Sequence, residues 1–303
     1  MAMLRGPHLD TPLTLVGSDR DALRRGEEGV LDPGPDARYL VTRAGAVAVE
    51  ETDAGLRVLL EEADPRGGHD SLVLLSFRDG VRVLGVELPE PSPEIDDPGR
   101  DLRDLRRIAG DLTPEDADLA LTAVAMGAWH RSMKHCPLCG ELLEAEMAGW
   151  VLRCREDRSE HFPRTDPAVI MAVRDDRDRL LLARNASFRG RFHSVLAGFV
   201  EPGESLENAV AREVAEEVGL TVAEVEYVGS QPWPFPRSLM LGYRAWISGS
   251  AELTLQDEEI AEARWFTREE FHAALESGDL EIPANASLGR ALIDDWSRER
   301  PAG

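Results

Sequence analysis
The sequence predicts an α+β protein in three parts: a small β-rich domain over residues 1–134, a zinc-ribbon-like module over 135–163, and an α/β/α sandwich over 164–303. Three observations predict it. Short apolar runs broken by turn signals fill residues 38–88. All three cysteines fall between Cys136 and Cys154. From Pro163 onward, strand-length apolar runs alternate with stripes of helical period.

The bulk properties narrow the class. A chain of 303 residues is long for one core and suggests two domains plus a small module. Apolar residues make up 43%, as in globular proteins. With 57 acidic against 34 basic residues, the net charge of −23 argues against broad nucleic-acid or membrane-surface binding. No apolar run is long enough to span a bilayer and no signal-peptide pattern opens the chain, so a cytoplasmic protein is expected. Three clustered cysteines suit a metal site or free thiols better than a disulfide framework.

Residues up to about Ala37 are rich in Pro, Gly, Asp and Arg and read as an irregular arm. Tyr39–Val49, Leu56–Glu61, Leu72–Phe77 and Val81–Leu88 read as strands, with turns at Asp53–Gly55 and Asp79–Gly80. This region carries no catalytic pattern and reads as a scaffold or dimerisation domain. Pro89–Gly99 is a Pro- and Asp-rich linker. A helix then starts at Thr113-Pro114, with Thr as cap and Pro in the first turn, and runs to Trp129-His130. His130 reads as a packing residue.

Cys136-Pro-Leu-Cys139-Gly opens a zinc knuckle. Its second half offers Cys154-Arg-Glu-Asp157 in place of a second Cys-x-x-Cys, so Asp157 or His161 would complete a tetrahedral Zn²⁺ site. The competing reading is a decayed ribbon that folds without metal. Beyond it, Ala168–Val173 and Leu180–Ala183 form a hairpin across Asp175-Asp176, and Ser194–Leu196 leads to a glycine loop. Val225–Val228, Leu239–Ile247 and Ala263–Phe266 read as strands, Phe271–Ser277 and Ser287–Arg298 as helices. No internal sequence repeat is visible.

Between Gly198 and Leu220 lies the stretch that carries chemistry. Leu206, Val210 and Val214 make a helical stripe, Ser205 is a cap and Gly219 a stop. Glu213, Glu216 and Glu217 stand at i, i+3 and i+4, on one helix edge. Carboxylates so crowded repel one another unless a hard cation such as Mg²⁺ joins them, and such an ion also grips phosphate. Arg212 would orient Glu204 or neutralise part of the cluster. A solvated acidic helix face is the bland alternative. Against it, Gly198, Glu204, Arg212-Glu213, Glu216-Glu217 and Gly219, with apolar Val214 and Leu220, fall at the spacing of the Nudix box. The chain resembles a Nudix hydrolase.

Some ten residues later, Ser230-Gln231-Pro232-Trp233-Pro234-Phe235-Pro236-Arg237-Ser238 alternates prolines with aromatics. Such a segment is stiff and suits a planar base and a polar sugar, although a Pro-rich surface turn reads equally well. It is similar to the array that marks the NADH pyrophosphatase (NAD diphosphatase) branch of that family. The cysteine ribbon, the Phe162-Pro163 junction and a weakly marked, Nudix-like N-terminal domain extend the resemblance to nearly the whole chain.

The resemblance implies hydrolysis of NADH or NAD⁺ to nicotinamide mononucleotide and AMP with Mg²⁺ or Mn²⁺, in a homodimer, with removal of NAD caps from RNA 5′ ends as an alternative. By position it implies metal ligands at the Ala197 carbonyl, Glu213, Glu217 and Glu259. It also implies substrate contacts at Gln231 to Ser238, Phe162, Gly289 and Arg106 or Arg107, and a stacking surface at Phe199. Asp157 departs from the family's usual fourth cysteine. In the implied mechanism metal ions offset the diphosphate charge and activate water, and Glu216 or Glu217 takes the proton. The competing readings are an ADP-ribose-type pyrophosphatase and a nucleotide-sensing or zinc-ribbon interaction module with a dead box. The intact Glu204, Arg212, Glu213, Glu216 and Glu217 set argues against the last.

Overall fold
A computed structural model describes residues 19–65, 72–78, 80–89, 99–187, 190–255 and 259–299. They form two compact units. The first holds the described residues up to Thr165 together with Trp233–Arg237; the second holds Asp166–Pro232 and the described residues from Ser238 on.

The first unit is built on a seven-stranded sheet of β1 (Ala37–Arg43), β2 (Ala46–Thr52), β3 (Gly55–Val58), β4 (Leu60–Glu61), β5 (Leu72–Arg78), β6 (Val81–Glu87) and β7 (Asp101–Asp104). The order is β3-β2-β1-β6-β5, with β4 on β1 and β7 on β2. The strand expected over Tyr39–Val49 is two strands. Ala44 and Gly45 both take positive φ and turn the chain into a hairpin, a signal masked by the apolar residues on either side. Strand β7 and the short helix α1 (Leu105–Ile108) were not expected, and most of the Pro89–Gly99 linker lies outside the described residues.

Helix α2 (Pro114–Ser132) starts as expected: the Thr113 side chain accepts the Asp116 N–H, and Pro114 sits in the first turn. It buries Leu119, Ala120, Ala123, Val124 and Met126. His130 packs as expected, with Nε2 2.7 Å from the Gly149 carbonyl oxygen. The ribbon follows as an antiparallel sheet of β8 (Leu143–Glu146), β9 (Val151–Cys154) and β10 (Glu160–His161).

The second unit contains β11 (Asp166–Arg174), β12 (Leu180–Asn185), β13 (Leu196–Phe199), α3 (Leu206–Val218), β14 (Thr221–Trp233), β15 (Ser238–Ser248), β16 (Ile260–Phe266), α4 (Arg268–Ser277) and α5 (Leu288–Arg298). The strand order is β14-β15-β11-β12-β16, with β13 on β11. Successive residues of β11 point to opposite faces. Val169, Met171 and Val173 pack with Ala209, Val210, Val214 and Val218 of α3. Ile170 and Ala172 pack with Phe271 of α4 and with Leu288, Leu292, Ile293 and Trp296 of α5. One strand thus supplies both cores, and the α/β/α sandwich is as expected.

The units echo each other without a sequence repeat. Strands β1 and β6 pair in parallel with α2 packed on both, just as β11 and β15 pair in parallel with α5 packed on both. Among the described residues, no helix is long and apolar enough to cross a membrane.

Trp296 closes the α5 face. It is fully buried, donates from Nε1 to the Asp178 carbonyl at 3.0 Å, and meets Phe271 edge-on at 5.6 Å. Trp296→Ala is expected to remove roughly 3–5 kcal/mol of stability, measured by urea denaturation.

Candidate active site
Strand β13 and helix α3 position the acidic cluster. Ser205 caps α3 by accepting the Asn208 N–H, and Gly219 ends it at φ 71°. Arg212 lies at the centre. It forks onto Glu204, with Nε to Oε1 at 2.9 Å and Nη2 to Oε2 at 3.0 Å. Its Nη1 donates to Glu213 at 2.8 Å and to Glu216 at 3.0 Å, and Nη2 also donates to the Phe199 carbonyl at 2.8 Å. The guanidinium hydrogen bonds hold Glu204 below the usual carboxylate range.

Glu217 is placed differently. It follows Val210 by seven residues and so falls on the apolar stripe, 4% exposed, where a leucine would be ordinary. Its Oε2 is buried without a hydrogen-bond partner. Burial, then the charges of Glu213, Glu259 and Glu216, push its pKa up to about 8. Glu213 is also raised, by burial first, with Glu216 and Glu259 adding to it against Arg212. A buried carboxylate with no partner beside like charges fits a bound divalent cation. Gly198 makes room for this arrangement: a Cβ there would stand 1.9 Å from Cδ of Glu213. Ala197 is exposed on β13, pairing with Ile170. Glu259 is close enough to act on both Glu213 and Glu217; its neighbours Asp257 and Glu258 lie outside the described residues.

The cysteines form a second cluster. One ligand atom from each of Cys136, Cys139, Cys154 and Asp157 lies within 4.8 Å of the others. Cys139 and Cys154 sulfurs stand 3.4 Å apart, and Asp157 Oδ2 lies 3.5 Å from Cys136 Sγ. That spacing suits a tetrahedral ion about 2.3 Å from each sulfur. Burial pushes the Cys136 thiol up, but hydrogen bonds from Ser159 and from the Leu138 and Cys139 N–H groups outweigh it and bring it down to about 6. Thiolate at neutral pH is the ligand form. His161 borders the cluster, a hydrogen-bond partner of the Cys136 thiol with its Nε2 3.1 Å from Ser159 Oγ, and Ser159 in turn hydrogen-bonds Asp157 Oδ1 from both Oγ (2.5 Å) and N–H (2.8 Å).

The proline–aromatic array is split in role. Gln231, 1% exposed, donates Nε2 to the Ala286 carbonyl at 2.7 Å and accepts the Leu288 N–H at 2.8 Å, which fixes the start of α5. Gly289 is a packing position, where a Cβ would meet Ile170 and Ser194 at 3.3 Å. Pro232 and Trp233 end β14 and Ser238 begins β15, so Pro234, Phe235, Pro236 and Arg237 form the connection. Trp233 and Phe235 meet edge-on at 5.1 Å, and the Arg106 guanidinium lies 5.1 Å from the Phe235 ring centre. Arg107 instead faces Asp104 at 3.7 Å. Phe199 and Phe162 are 59% and 56% exposed, rings open to a ligand.

Residues 164–285 match the NUDIX domain family, and residues 36–129 match the family described as NADH pyrophosphatase-like rudimentary NUDIX domain. A Mycobacterium bovis protein named NAD-capped RNA hydrolase NudC is 41% identical over 298 residues, 94% of this chain and 94% of its own. This chain is a Nudix hydrolase of the NADH pyrophosphatase branch. The human NAD-capped RNA hydrolase NUDT12 is 39% identical over 202 residues, 63% of this chain and 44% of its own. A Nudix hydrolase from Nitrosomonas europaea covers 50% of this chain and 97% of its own at 20% identity, with a TM-score of 0.40.

Three contributors in this Nudix hydrolase escaped the sequence reading: the Phe199 carbonyl that anchors Arg212, the clearance at Gly198, and the Ser159 bridge. The first and third are backbone and loop geometry with no sequence mark. The second was legible only as a glycine.

Glu217 makes metal-free stability depend on pH. The unfolded chain releases this proton near the ordinary value of 4.5, whereas the folded protein keeps it to about 8. The folded state therefore binds more protons in that window, and stability falls as pH rises through it. Urea titrations in chelator are expected to show this fall, and Glu217→Gln is expected to flatten it.

Proposed function
We propose that this Nudix hydrolase cleaves the diphosphate bond of NADH and NAD⁺, giving nicotinamide mononucleotide and AMP. The observation that carries the reading is Glu217, a partnerless buried carboxylate on the box helix beside Glu213, in a chain of the NADH pyrophosphatase branch. Glu213, Glu217, Glu259 and the Ala197 carbonyl would hold Mg²⁺ or Mn²⁺. When bound, such ions neutralise diphosphate charge and lower the pKa of water. Arg212 keeps Glu204, Glu213 and Glu216 in place, and Glu216 or Glu217 accepts the proton of the attacking water. Trp233, Phe235, Arg106 and the exposed Phe162 ring in the first unit, and the exposed Phe199 ring in the second, are each read as substrate contacts, while Gln231 and Gly289 set the start of α5 in the second unit's core.

A second reading shares the same bond. The mycobacterial relative is named for NAD-capped RNA, and the AMP half of NAD can continue as an RNA chain without altering the diphosphate. The cysteine cluster is read as a structural Zn²⁺ site with Asp157 as the fourth ligand, and the protein as a homodimer.

Product analysis on NADH, NAD⁺, ADP-ribose and NAD-capped RNA tests the reading. Glu217→Gln is expected to lower NADH turnover by at least about a hundredfold with the fold intact, because a lost ligand weakens both water activation and the phosphate clamp. Near-normal turnover by the folded variant would refute the role of Glu217. Elemental analysis of protein purified without chelator is expected to give one zinc per chain, reduced in Asp157→Ala. Zinc-free protein would mean that packing alone holds the ribbon.

A further inference from the structure
The first unit contains a cleft of about 520 Å³ with the opposite electrostatic character to the chain as a whole. Its charged lining is Arg131, Lys134, Arg164 and Arg237, with no acidic residue, in a protein with a net charge of −23. Arg131 is ion-paired with Glu87, which does not line the cleft. Among the described residues, the Lys134 and Arg164 side chains enter no ion pair, and both are exposed. Trp129 forms part of the wall. It is 6% exposed, and its indole N–H finds no acceptor. Cations concentrated in a concave surface attract an anion more strongly than the same charges spread out. The volume lies in the roughly 300–1,000 Å³ range of sites for ligands of nucleotide size.

Pro236 and Arg237 identify what the cleft adjoins. They line it, and they are continuous with Trp233 and Phe235 of the array. We propose that the cleft binds the phosphodiester backbone of an RNA chain. The inference rests on the reading of NAD-capped RNA as a substrate and deepens it: dinucleotide on the array, RNA phosphates in the cleft. The acidic surface elsewhere repels RNA, so the cleft would admit a single strand locally and leave the rest of the transcript in solution.

The test measures binding apart from catalysis. A short fluorescent oligoribonucleotide with a 5′-hydroxyl is titrated with the full-length protein across salt concentrations, reading anisotropy. Lys134→Ala/Arg164→Ala is compared with a control pair, Arg177→Ala/Arg298→Ala, exposed outside the cleft. The cleft variant is expected to bind several-fold more weakly, with the slope of log affinity against log salt flatter by about 1.4, roughly 0.7 for each lost phosphate contact to a single strand. The control pair should behave as wild type. Equal binding by wild type and cleft variant overturns the proposal. So does displacement by inorganic phosphate that is independent of oligonucleotide length, which would mark a site for an isolated phosphate. In turnover assays the cleft variant is expected to lose activity on NAD-capped RNA by the binding factor while keeping that on NADH. Wild-type protein that binds the oligonucleotide through the cleft but cleaves neither substrate would refute the proposed reaction and leave the cleft assignment standing.

Discussion
Arg212 makes the acidic helix edge possible. Carboxylates one turn apart repel, and each one left unpaired near the core would incur desolvation as well. A single planar guanidinium divides its donors among Glu204, Glu213, Glu216 and the Phe199 carbonyl. The fork therefore ties the loop before α3, the helix itself and the end of β13 to one point. A lysine could neutralise the same charge but could not span those directions at once. With three glutamates held this way, Glu217 is left as the buried carboxylate that no donor in the protein answers, and the metal reading follows from that remainder.

The acidic groups in and beside α3 are thus of different kinds. Arg212 ion-pairs with Glu204 and Glu216 and holds Glu204 as an anion, whereas Glu217 sits where the helix would ordinarily bury an apolar side chain. A local rule is broken at the position assigned to chemistry, and the packing of Val210, Val214 and Val218 around it compensates. The cysteine cluster shows similar layering. Ser159 uses its hydroxyl and its N–H to hold Asp157 Oδ1, which turns Oδ2 toward Cys136. On the zinc reading, the loop behind this carboxylate aims it at the place a fourth thiolate would take.

Much of this was legible in the sequence wherever the determinants are local. The α3 stripe, the Ser205 cap and the Gly219 stop are near-neighbour features, and so is the Thr113-Pro114 start of α2. Elements that depend on distant partners were not legible. Strand β14 runs from Thr221 to Trp233, far beyond the apolar Val225–Val228, because pairing with β15 recruits mixed and proline-bearing sequence. Gln231 reads as a polar contact residue until Ala286 and Leu288, more than fifty positions away, take up both ends of its amide. The β1–β2 hairpin was hidden because Gly45 lies alone inside an apolar run, with no Asn, Asp or Pro beside it to mark the turn. The kinship of the two units lies in strand pairing and helix placement, which composition does not encode.

The clearance over Gly198 reaches beyond this molecule. Because Glu213 occupies the volume that any side chain at position 198 would claim, the glycine and the glutamate form an interlocking pair across the β13–α3 loop. A genome survey that counts only carboxylates would miss this condition: any side chain at position 198 forces the Glu213 carboxylate out of its present place.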